Sequence, residues 1–181
     1  MRSINAFLLK LLGWRIVGGK PANVRQFIVV VAPHTSNWDF PIGLLVRSAV
    51  GMTDVKYLAK KELFTPWIGW MFRALGGYPV DRKKHTNMTE AVVDLFHHNP
   101  DFKIAITPEG TRKYVPEWKT GFHRIAILAH VPIILCSFDF GTKTVTFSDV
   151  FPLSGNVAED IEAMKAIFRK AKGRNPDQGI L

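Results

Sequence analysis

Residues Phe27–Ala32 form one unbroken apolar run, FIVVVA, and Pro33 closes it. A run without polar alternation suits a strand covered on both faces, as in largely parallel sheets. Such a strand needs helices on either side, and the rest of the chain carries that pattern. Val55–Ala59, Tyr78–Asp81, Phe102–Ile106, Val131–Phe138 and Lys143–Phe147 read as further strands. An apolar helix follows the polar junction His34–Asp39, with Pro41 tolerated in its first turn. Further helices are expected over Lys61–Leu75, from the Asn87/Glu90 capping pair to about His98, and over Lys119–His130. Asn156 and Glu159 cap a last helix, and Lys165, Arg169, Lys170 and Lys172 suit its C-terminal end before Gly173. Strand and helix alternate. The expected fold class is therefore α/β: a single domain with a mixed, largely parallel central sheet flanked by helices. Its 181 residues suit one such domain.

An amphipathic helix precedes the sheet. Ile4, Phe7, Leu8, Leu11 and Leu12 recur at helical spacing, and Gly18-Gly19 is expected to stop the run. The layout is then residues 1–20 as an N-terminal amphipathic helix, 21–173 as the globular domain, and 174–181 as a loose tail. Arg2, Lys10, Arg15 and Lys20 accompany the helix, and no acid occurs before Asp39. A helix of this kind lies in a lipid interface or packs as an ordinary surface helix. No apolar stretch reaches the roughly 20 residues that a spanning helix needs.

Charge narrows the partners. The net charge is +9, and residues 1–90 hold thirteen Lys/Arg against five Asp/Glu. Nucleic acid, anionic lipid and a phosphorylated substrate are the classes that answer such a surface. Nucleic acid fits least, because the aromatics fall in apolar helices rather than alternating with bases on strands. The single cysteine, Cys136, excludes an intrachain disulfide and a Cys-rich zinc site, and suits a reducing compartment. The six histidines are scattered, so no metal set is expected.

Three segments carry the chemistry, and each follows an expected strand. His34 and Asp39 bracket the junction after the first, at a strand's carboxyl end, where active groups gather in α/β sheets. A histidine takes a proton near neutral pH, and a nearby carboxylate orients its ring. The alternative is a loop histidine, with Asp39 a helix N-terminal carboxylate. Pro108-Glu109-Gly110-Thr111-Arg112 follows the Phe102–Ile106 strand. Gly110 permits close backbone approach, Arg112 can grip a phosphate, and Glu109 can hold Arg112 or a substrate hydroxyl. Its plainer reading is a turn with a surface ion pair. Arg82, in Asp81-Arg82-Lys83-Lys84, starts an anion clamp or a solvated charge run. Together these segments describe a site that removes a proton from a hydroxyl on a phosphate-bearing molecule.

These residues resemble the glycerolipid acyltransferase family, whose best-known members acylate lysophosphatidate. Its His-x4-Asp block matches His34 to Asp39. Its G-x-[IVF]-F-x-x-R block matches Gly76 to Arg82, its F-P-E-G-T-R-S block Thr107 to Lys113, and its V-P-[IVL]-[IV]-P block Val131 to Leu135. The four blocks stand in family order across residues 34–135. The resemblance implies that His34 is the general base and Asp39 orients it. The acceptor hydroxyl then attacks a fatty acyl thioester directly, acyl-coenzyme A or acyl-carrier protein being the co-substrate, with no other cofactor and no role for Cys136. It implies that Arg82, Glu109, Gly110, Thr111 and Arg112 bind the acceptor. Pro33, Pro79, Thr107, Lys113 and Leu135 depart from the family pattern. They flank the chemical residues, so another lyso-lipid, such as a lyso-aminolipid, is an alternative acceptor.

The same resemblance implies a peripheral or monotopic protein on the cytoplasmic face of a membrane. Phe7, Leu8, Leu11, Trp67 and Trp70 are the expected membrane contacts, with core packing the alternative for the tryptophans. A non-catalytic protein that binds anionic lipid shares the basic half and the helix but has no need of His34 and Asp39. A serine hydrolase is disfavoured, since no G-x-S-x-G elbow occurs.

Overall fold

The computed structural model describes residues 2–80 and 88–180. Seven strands form one sheet: β1 (Arg15–Val17), β2 (Phe27–Ala32), β3 (Lys56–Lys60), β4 (Gly77–Val80), β5 (Lys103–Ile106), β6 (Ile133–Asp139) and β7 (Thr144–Phe151). Their order is β1-β7-β6-β2-β5-β3-β4. β6, β2, β5, β3 and β4 run parallel. β7 is antiparallel to β6 and parallel to β1. The sheet is thus mixed and largely parallel, with helices on both faces. α1 (Arg2–Leu11) and α2 (Asp39–Ala49) contribute Leu9, Ile42 and Val46 to the core on one face. α4 (Met88–His98), α5 (Gly121–Ala129) and α6 (Val157–Phe168) cover the other with Val92, Phe96, Phe122, Ile125, Met164 and Phe168. β2 sits at the centre, and Phe27, Ile28 and Val30 are fully buried, as a strand between two helical layers requires.

Several expected boundaries shift, each for a local reason. α1 ends at Leu11 rather than at Gly18-Gly19. Gly13 takes φ +80°, its N–H donates to the Lys10 carbonyl, and the Trp14 N–H donates to the Leu9 carbonyl. This is the Schellman pattern, which closes a helix once a glycine can turn left-handed. Residues 15–17 of the expected helical unit are instead the edge strand β1. The expected helix Lys61–Leu75 divides into a 3-10 turn over Lys61–Leu63 and α3 (Gly69–Ala74). Pro66 lies between them. It lacks an N–H and disfavours helical backbone at the residue before it. The capping residue Asn87 lies outside the described residues, although the helix it was expected to open is present as α4.

Residues 174–180 do not form a loose tail. Ile180 packs on the core cluster beneath α4–α6, and Asn175 bonds to Thr35.

The connections on the two sides of β2 place the site. From β2 the chain leaves through α2 on one face and returns at β3. From β5 it leaves through α5 on the opposite face and returns at β6, β2's other neighbour. β2 and β5 therefore part company at their carboxyl ends, and ligands bind at such a divergence in open α/β sheets.

Candidate active site

The β2–β5 register pairs Val30 with Ile106. The loops that follow both strands thus emerge side by side, bringing His34 next to Glu109 across 75 positions of sequence. The Asp39 carboxylate, in the first turn of α2, folds back over the junction. Its Oδ2 lies 2.9 Å from His34 Nδ1 and accepts the Ser36 N–H at 3.0 Å. Asp39 is buried, and its side chain is 4% exposed against 16% for His34. Both readings of Asp39 hold at once: it is a helix N-terminal carboxylate and the partner of the imidazole. In a neutral ring the contact favours the proton on Nδ1, which leaves Nε2 with its lone pair.

Glu109 departs from expectation. It turns to the His34 main chain and makes no ion pair with Arg112 among the described residues. It is 6% exposed and its Oε2 accepts the His34 N–H at 2.7 Å, while Oε1 has no partner among the described residues. Burial pushes its carboxyl up to about 7. The hydrogen bond from His34 and that residue's charge pull it down, and the neighbouring Asp39 charge pushes it up. The main-chain N–H beside the imidazole is an unpaired donor in sequence, and a carboxylate from the next strand's loop satisfies it.

Gly110 turns the loop with φ +65°, and its N–H donates to the Thr107 carbonyl at 3.1 Å. Lys119 lies against it: a Cβ on Gly110 would stand 2.7 Å from Lys119 Nζ. Thr111 does not face the cavity lining; its Oγ1 accepts the Lys113 N–H at 3.3 Å. Arg112 is exposed and lines the cavity beside His34, and it makes no ion pair among the described residues. Arg82 lies outside the described residues.

The cavity is about 960 Å³. His34, Asn37, Thr107, Arg112 and Lys119 give it a polar mouth. Its walls are mostly apolar and reach both faces of the sheet, with Val29, Val31, Met52 and Phe138 on the α2 side and Leu58, Ile106, Phe122 and Ile125 on the other. Lys56, Arg47 and Tyr57 also line it. The Arg47 guanidinium donates to the Val55 carbonyl at 2.9 Å, while its Nε and the Tyr57 hydroxyl have no partner among the described residues. Burial lowers the Arg47 pKa and raises that of Tyr57. Sequence reading missed Lys56, Lys119, Arg47 and Tyr57. Their only signal was charge or polarity within otherwise ordinary elements. Cys136 lines the α2 side, fully enclosed, and burial alone raises its thiol pKa far above the ordinary value. A thiol held neutral in that way is a packing group and not a nucleophile.

The family model Acyltransferase matches residues 15–139, a span that contains the His34–Asp39 pair and both loops. The chain belongs to the acyltransferase family. The crystal structure of PlsC, a 1-acyl-sn-glycerophosphate (LPA) acyltransferase from Thermotoga maritima, has a similar fold. Its TM-score is 0.61 at 20% identity, over 93% of this chain and 77% of that one. No curated protein matches the sequence. The imidazole, the apolar walls and the cationic mouth stand in one cavity here.

Outside the cavity, the apolar residues expected at a membrane are exposed. Phe7 is 64% and Leu11 72% exposed, Leu8 is also at the surface, and Trp67 is 87% and Trp70 67% exposed. Core packing of the tryptophans is thereby ruled out; the Trp70 indole N–H donates to the Trp67 carbonyl at 3.1 Å. Among the described residues no helix is long and apolar enough to cross a membrane.

Proposed function

We propose that this protein is an O-acyltransferase that moves a fatty acyl group from a thioester to the hydroxyl of a lysophospholipid, with lysophosphatidate to phosphatidate as the reaction. The observation that carries the reading is the His34–Asp39 pair at 2.9 Å, its ring on a largely apolar cavity that also holds Arg112. His34 Nε2 takes the proton of the acceptor hydroxyl as its oxygen attacks the thioester carbonyl. The tetrahedral intermediate collapses, the C–S bond breaks, and the imidazolium returns the proton to the departing thiolate. Asp39 stabilises the imidazolium formed between the two transfers. A thiolate leaves readily, so one imidazole serves both steps. Arg112 and Lys119 supply cationic donors for the acceptor phosphate. Acyl-coenzyme A or acyl-carrier protein is the donor, and the apolar walls suit its chain.

The exposed Phe7, Leu8, Leu11, Trp67 and Trp70 support work at a membrane surface, because the lysophospholipid acceptor partitions there. The cytoplasmic face is the proposed side, in keeping with a single buried cysteine. The test is acyl transfer to lysophosphatidate in mixed micelles, with each thioester offered separately and products read by mass spectrometry. The parent yields phosphatidate, and His34→Ala loses about 10²- to 10⁴-fold in rate, the usual worth of general-base catalysis. Undiminished activity in His34→Ala overturns the mechanism. Product from a lyso-aminolipid alone overturns the acceptor and keeps the chemistry.

A further inference from the structure

The segment from Gly173 to Ile180 lies beyond the 15–139 span of the family model, yet it reaches the catalytic junction. Gly173 lets it approach: a Cβ there would stand 2.5 Å from Thr35 Oγ1. The Asn175 main-chain N–H donates to Thr35 Oγ1 at 3.2 Å, and Asn175 Nδ2 donates to the Thr35 carbonyl at 2.8 Å. The Gln178 amide nitrogen, in the orientation that satisfies the side chain, donates to the Arg112 carbonyl at 2.6 Å and the Thr35 carbonyl at 3.2 Å. The ends are anchored. The Phe140 N–H donates to the Lys172 carbonyl at 2.8 Å, the Arg174 guanidinium sits 5.5 Å over the Trp38 ring, and Ile180 packs on the core. Thr35 follows His34 directly and is 1% exposed, so water does not substitute for these donors.

We propose that Asn175 and Gln178 are positioning residues for acyl transfer, through a strap that fixes the separation between the His34 loop and the Arg112 loop. The inference rests on the reading above, in which His34 takes the hydroxyl proton and Arg112 holds the same acceptor's phosphate. Those two groups sit on loops joined by no continuous element. Glu109 ties the loops on one side of Thr35 and Gln178 ties them on the other. Both loops must hold their spacing while one molecule bridges them, and small misplacement of reacting groups is costly in rate.

The test compares Gln178→Glu and Asn175→Asp with the parent, and Asp177→Asn on the exposed side of the strap as control. Each of the first two keeps side-chain shape, removes an amide donor and sets a carboxylate oxygen against carbonyl oxygens. Two readouts are taken. Kinetics with lysophosphatidate and the productive thioester are expected to show kcat/KM for the acceptor falling about 10- to 100-fold. KM for the thioester should stay near the parent's, with the thermal midpoint little changed and the control unaffected. Independently of substrate, the downfield imidazole Nδ1 proton resonance of His34, assigned with His34→Gln, is expected to broaden or vanish in both variants. Parent-like kinetics together with a parent-like resonance overturn the proposal. So does a loss of activity that follows a fallen thermal midpoint and strikes both substrates equally, which marks a purely structural strap. If the parent itself fails to acylate lysophosphatidate, the proposed acceptor has failed, and the His34 resonance alone decides the positioning role.

Discussion

Glu109→Gln isolates the consequence of burying a carboxyl behind the His34 main chain. Gln keeps an oxygen to accept the His34 N–H and cannot ionise. In the unfolded chain Glu109 titrates at its ordinary 4.5, and in the fold burial raises it to about 7. A raised carboxyl pKa means that the fold favours the neutral form. The stability it contributes is fully present below the unfolded value and is lost as pH rises through the folded one. The full difference corresponds to about 3 kcal/mol, and roughly 2 kcal/mol of it falls between about pH 5.5 and about pH 8.5. Urea unfolding of parent and variant across that window measures it. The variant's stability relative to the parent should rise by about 2 kcal/mol from the acid to the alkaline end. A pH-independent difference refutes the reasoning, because it would show that the carboxyl ionises in the fold as readily as in the unfolded chain. Glu109→Ala serves as contrast. It strands the His34 N–H and should cost about 1–3 kcal/mol, an addition that persists at every pH.

Three further outcomes follow from other parts of the fold. Phe7→Asp with Leu11→Asp should abolish flotation with anionic vesicles while leaving urea unfolding nearly unchanged, because both side chains project from α1. Leu9→Ala, on the opposite face of that helix and 1% exposed, should instead cost about 2–5 kcal/mol of stability. The His123–Asp160 contact is a second buried His–carboxylate pair, at 2.7 Å, joining α5 to α6 away from the cavity. His123→Ala should lower stability by about 3–5 kcal/mol in urea titration, by leaving Asp160 without its ring, and should leave acceptor KM intact in the folded protein.

The contrast between the two His–Asp contacts shows what spacing can and cannot convey. Asp39 follows His34 by five positions across a strand-to-helix junction, so local geometry brings them together and the sequence alone exposes the pair. His123 and Asp160 stand 37 positions apart on two helices, and no local pattern marks them. The strands were legible for the same local reason. FIVVVA has nowhere to go but a doubly covered strand, and the alternation with helices then dictates an α/β sheet. Local pattern also misled. It extended a helix through Pro66, and it left residues 174–181 as a tail because nothing in their sequence announces a docking site.

The fold class, the closeness of His34 to Asp39 and the loop that bears Arg112 were all legible in the chain alone. Those properties live in hydrophobic period and in short spacings, which the chain carries wherever it goes. Tertiary structure alone decided that Glu109 turns inward to His34, that Lys119 and Lys56 join the cavity, that Trp67 and Trp70 stay exposed, and that Asn175 and Gln178 reach Thr35 and Arg112. Each depends on which strands are neighbours and in what register. The pairing of Val30 with Ile106 sets the two loops side by side, and only then does a carboxyl 75 positions away become a buried group that accepts the His34 N–H.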